Sequence, residues 1–75
     1  MNRMESRAVF AGLLLKQVRD ERFPSATHMD MIEQTIPPQL LDRYVEVLLE
    51  KVAHDDHPSI PMLQRLRRVI LSMPS

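Results

Sequence analysis

These 75 residues predict an all-α protein: four helices forming two tandem helical hairpins, packed as a compact pseudo-two-fold bundle. Three observations lead there. Apolar residues recur at three- and four-residue spacing throughout, with one glycine and no alternating β-branched runs, which is helical periodicity. The chain also repeats itself with a period of 34 residues. Leu14, Leu15, Val18, Pro24 and Ser25 fall on Leu48, Leu49, Val52, Pro58 and Ser59; Phe10, Ala11 and Leu13 fall on Tyr44, Val45 and Val47; Met29, Ile32 and Ile36 fall on Leu63, Leu66 and Ile70. Finally, proline interrupts the helical pattern at Pro24, Pro37-Pro38 and Pro58 and closes it at Pro74.

The first helix is expected over Met4–Asp20. Ala8, Ala11, Leu15 and Val18 form its apolar stripe, which Phe10, Leu13 and Leu14 widen until it covers two sides of the helix. Gly12 lies inside it, at a cost of about 1 kcal/mol relative to alanine. Close approach of another helix would account for that glycine, in one half only, because its repeat mate is Glu46. Pro24 disfavours helical geometry in Phe23 and so ends the connection. Ser25 then offers its hydroxyl as an N-cap for a short second helix, Ala26–Thr35, carrying Met29 and Ile32, with Ile36 continuing the stripe just beyond it.

The third helix is expected over Pro38–Ala53. Pro38 suits the first turn, where its missing N–H is harmless. Leu41, Tyr44, Val45, Leu48 and Val52 line its main face, and Leu40, Val47 and Leu49 broaden it. His54-Asp55-Asp56-His57-Pro58 repeats the break and Ser59 the cap. The fourth helix, Ile60–Met73, turns Met62, Leu63, Leu66, Val69, Ile70 and Met73 to one side. The reading is therefore one domain, 1–75, with internal repeats 7–40 and 41–74. The period is that of tetratricopeptide repeats, but the resemblance ends with the number, since the aromatic and small-residue positions of that motif are missing.

Composition narrows the function classes. A core this small yields about 3–5 kcal/mol without a staple, and with no cysteine there is neither disulfide nor thiolate zinc site. Association is the remaining staple, and an apolar content of 44% favours it. Six methionines either fill the core or line an adaptable contact surface. Ten basic and ten acidic residues balance, so no overall field draws the chain to nucleic acid or anionic lipid. No signal peptide is visible, and the first apolar run ends at Lys16, short of the ~20 residues that span a bilayer. A soluble, cytoplasmic protein with no membrane span is expected.

The His54-Asp55-Asp56-His57 cluster has metal-ligand chemistry, but its repeat equivalent, Asp20-Glu21-Arg22-Phe23, has no histidine. His57 replaces Phe23 and is expected to act as a plug beneath the turn, while His54 favours the dipole at a helix C-terminus. No metal, cofactor or catalytic residue is assigned, and the chain is expected not to be an enzyme. Pro24, Ser25, Pro58 and Ser59 are assigned to turns and caps. Charge is uneven: from Ser59 onward there are Arg65, Arg67 and Arg68 and no acid, whereas residues 25–57 hold Arg43 and Lys51 against Asp30, Glu33, Asp42, Glu46, Glu50, Asp55 and Asp56.

The expected function is helix-face recognition of a protein partner, with homodimerisation included, by a small adaptor, regulator or accessory subunit. Phe10, Leu13 and Leu14 would be apolar anchors and Arg65 and Arg68 polar contacts. The alternative is a helix-turn-helix-like nucleic-acid binder using Arg65, Arg67 and Arg68.

Overall fold

A computed structural model describes residues 1–74 and contains four helices and no strand among them: α1 (Arg3–Asp20), α2 (Ala26–Thr35), α3 (Pro38–Ala53) and α4 (Ile60–Ser72). The protein is all-α. Local chemistry explains each boundary. Asn2 caps α1, its Oδ1 accepting from Glu5 N at 2.8 Å. Ser25 Oγ accepts from His28 N at 3.1 Å, and Ser59 Oγ from Met62 N at 3.2 Å, so each satisfies a first-turn N–H that the helix leaves unpaired. The two serines share one backbone conformation, φ −71° and ψ 149° against φ −69° and ψ 151°. Two helices end against proline. Ile36 before Pro37 and Met73 before Pro74 are both extended, as the proline ring requires of its predecessor.

The chain divides into two compact units between Leu41 and Asp42, inside α3 and one residue from the boundary of the sequence repeat. In the first unit α1 packs on α2. The buried side chains are Ala11, Leu14, Leu15 and Val18 on α1, Met29 and Ile32 on α2, and Ile36 at its cap. Burying a side chain of this size contributes roughly 1.5–3 kcal/mol. In the second unit Tyr44, Val45, Val47 and Leu48 are buried on α3, and Leu66 and Val69 on α4.

The repeat is a property of the sequence that burial does not follow. Leu14 and Leu48, Ile32 and Leu66, and Ala11 and Val45 are buried alike. Phe10 and Leu13 are exposed while their mates Tyr44 and Val47 are buried; Leu15, Met29 and Ile36 are buried while Leu49, Leu63 and Ile70 are exposed. The same Pro-Ser cap thus precedes helices that differ in which repeat positions they bury.

Three local expectations change. A Cβ built on Gly12 meets no atom within 4 Å and the residue has no positive φ, so no neighbouring helix in this chain requires the glycine. Phe23 is 70% exposed, with the Arg22 guanidinium carbon 5.3 Å from its ring centroid, and His57 is exposed too. Neither plugs its turn. Pro24 is the buried residue of the first turn, and its repeat mate Pro58 is half-buried. The methionines divide: Met29 is buried, Met1 and Met4 are exposed, and Met31, Met62 and Met73 are half-buried.

Candidate interaction surface

α1 is apolar on two sides. Its buried stripe is Ala11, Leu14, Leu15 and Val18. At 100° per residue, Val9 falls opposite that stripe, Phe10 on its flank and Leu13 between the two. They are 50%, 45% and 63% exposed. Ser6 and Gln17 extend the same face toward the two ends of α1, and both are exposed. The third expected anchor does not belong to this face. Leu14 is 7% exposed and lies in the core: four residues after Phe10 and three after Ala11, it sits between the two on the helix and is buried with Ala11.

One residue of α1 that sequence reasoning passed over organises the first unit. Arg7 Nε donates to the Thr35 carbonyl and Arg7 Nη2 to the Ile36 carbonyl at 3.1 Å. Pro37 and Pro38 follow and have no N–H, so the chain beyond α2 cannot offer the main-chain donors that usually close a helix C-terminus. A guanidinium from α1 supplies two donors and a positive charge where the α2 dipole is negative. The signal was present: two prolines directly after a helix call for a side-chain donor from elsewhere. The repeat mate of Arg7 is Leu41, and α4 closes differently, through Met73 N to Ile70 O at 3.1 Å and Ser72 Oγ to Val69 O at 2.7 Å.

The arginines of α4 do not form a single face. Arg65 is half-buried, and Arg67 and Arg68 are exposed. Arg67 and Arg68, with Gln64, Leu71 and Ser72, line an open depression along α4. Leu63, Ile70, Ile60 and Leu71 are exposed around Arg67, so this surface is as apolar as it is basic. On α3, Asp42, Glu46 and Glu50 are exposed at four-residue spacing.

The histidine-aspartate turn is occupied by local hydrogen bonds. His54 Nδ1 lies 2.8 Å from the Glu50 carbonyl at the end of α3, and Asp55 Oδ1 accepts from His57 N at 3.0 Å. Among the described residues no three histidine, aspartate or glutamate side chains converge as a metal set. In the first turn His28 Nδ1 is 3.7 Å from Glu21 Oε1, beyond hydrogen-bond reach, and has no hydrogen-bond partner. No described helix is long and apolar enough to cross a membrane. No protein-family model, curated protein or solved structure matches this chain.

Proposed function

We propose that this chain is a non-enzymatic protein–protein interaction module, an adaptor, regulator or accessory subunit, that works through the outer face of α1. The observation that carries the reading is the exposure of Val9, Phe10 and Leu13 together on one side of a helix whose opposite side is already buried. A helix needs one apolar stripe to pack within its own domain. A second stripe gains stability only when another surface covers it. Phe10 supplies an aromatic anchor and Leu13 an aliphatic one at i and i+3, the spacing by which a helix lays its anchors in a groove. In the second unit, exposed Arg68 offers a polar contact of its own, whereas half-buried Arg65 offers less of its surface.

The test is affinity capture from cell extract with the native chain and Leu13→Asp, with and without nuclease. A stoichiometric protein, another copy of the chain included, should survive nuclease on the native bait and be lost on Leu13→Asp, while circular dichroism shows helicity kept. A native chain that is monomeric and captures nothing ends the proposal.

A second reading rests on Arg67 and Arg68, exposed beside Gln64 along α4 in a stretch without acids. It makes α4 a nucleic-acid contact and predicts retention on heparin at low salt, lost when Arg65, Arg67 and Arg68 are all replaced by alanine. Equal retention of the native chain and the triple variant removes it.

A further inference from the structure

We infer that the occupant of the outer α1 face is a second copy of this chain, with the two α1 helices paired antiparallel. This rests on the interaction-module reading and adds the partner, its direction and its register. The face consists of two rows at seven-residue spacing: Arg3, Phe10 and Gln17 in one, and Ser6, Leu13 and Asp20 in the other. That is a heptad seam two and a half turns of the pattern long, carried by an 18-residue helix. Leu14, in the adjacent position, belongs to the core and closes the seam on one side; Val9 and Lys16 border it on the other.

The seam is self-complementary in one orientation. Placing a two-fold axis beside the Ala11–Gly12 junction brings Phe10 opposite the second copy's Leu13, Ser6 opposite its Gln17 and Arg3 opposite its Asp20. Because an isologous contact occurs twice, each of these pairs is made twice. The two large apolar residues lie at the centre, where they cover each other and exclude water. A hydroxyl meets an amide on either side of them, and opposite charges meet at both ends. In a parallel pairing the same rows would set Arg3 against Arg3 and Asp20 against Asp20, like charges at both ends. Asp20 is within 3.7 Å of Arg19, but the two side chains are 59% and 61% exposed, a surface pair that leaves the carboxylate accessible. The neutral chain adds no net self-repulsion.

The chain has no cysteine, so single thiols report register without background. Ser6→Cys and Gln17→Cys chains are mixed and mildly oxidised, and sedimentation equilibrium is run on the native chain. The native chain should sediment as a dimer and Leu13→Asp as a helical monomer. The mixed disulfide, joining a Ser6→Cys chain to a Gln17→Cys chain, should exceed either homodisulfide several-fold, because two Ser6 positions in the antiparallel pair are about 16 Å apart along the helices. Arg3→Asp and Asp20→Arg should each weaken the dimer roughly threefold to tenfold, and the double variant should restore it to within about twofold. Homodisulfides of Ser6→Cys and of Gln17→Cys, a statistical mixture, or additive rather than compensating charge reversals would overturn the antiparallel register. A native chain that stays monomeric, yet captures another protein in a Leu13-dependent way, overturns self-pairing and leaves the module reading standing. A monomer that captures nothing overturns both.

Discussion

Replacing Arg7 with methionine removes the donor that closes α2 while keeping an unbranched side chain on α1. Two hydrogen bonds are lost, Nε to the Thr35 carbonyl and Nη2 to the Ile36 carbonyl at 3.1 Å. A hydrogen bond with a charged partner contributes about 1.5–3 kcal/mol when shielded. Here the Thr35 bond is exposed and the Ile36 bond only part-buried, so water replaces much of each. The charge at the helix C-terminus adds about 0.3–1 kcal/mol. Together these give an expected loss of roughly 1–2 kcal/mol for Arg7→Met. In a domain of this size each kcal/mol moves Tm by about 4–8 °C. Urea unfolding at a low, fixed protein concentration, so that association does not contribute, reads the difference directly. Arg7→Lys keeps the charge without the two-pronged donor and should recover less than half of the loss. Raising the salt to 1 M, where screening acts within about 3 Å, should shrink the gap between native and Arg7→Met without abolishing it. An Arg7→Met chain within about 0.3 kcal/mol of the native one, at unchanged m-value, would refute the cap as a stabilising element.

Other substitutions separate the two halves of the chain and the two kinds of helix position. Gly12→Ala should stabilise by about 0.5–1 kcal/mol, since a Cβ meets nothing within 4 Å and the backbone is helical; destabilisation in urea would show that something approaches Gly12 after all. Met29→Ala should cost about 2–5 kcal/mol, as the loss of a buried side chain does, whereas exposed Leu63→Ala, at the equivalent repeat position, should cost well under half as much; equal costs would mean that the repeat is preserved in packing. Ser25→Ala and Ser59→Ala should each cost about 1 kcal/mol, read by thermal unfolding, because each hydroxyl satisfies one first-turn N–H; a Ser59→Ala chain as stable as the native one would mean that water caps α4 equally well.

The element boundaries were the most legible part of the chain. Ala26–Thr35 and Pro38–Ala53 are read from residues alone and observed unchanged, and α1 and α4 differ from expectation by one residue at one end each. Proline geometry and serine capping act within three or four residues, so they need no tertiary context to take effect. The candidate surface was legible in part. Phe10 and Leu13 are exposed, as anchors must be, but Leu14 beside them is core. Periodicity marks a wide apolar arc on α1 and does not say where within that arc burial stops. The three arginines of α4, grouped by proximity in sequence, do not share one face: Arg65, half-buried, and Arg68, exposed, are neighbours at i and i+3, and exposed Arg67 lies apart from both.

The sequence by itself determined that this chain is helical, where its helices start and stop, and that the two Pro-Ser turns are built alike. Those properties follow from backbone sterics and first-turn hydrogen bonds, which are local. Only the tertiary structure decided that Arg7 closes a helix that starts 19 residues later, that Gly12 faces open space, and that Met29 and Ile36 are buried where Leu63 and Ile70 are not. Burial is a property of what lies across from a side chain, and two segments with the same apolar pattern can present it to different neighbours.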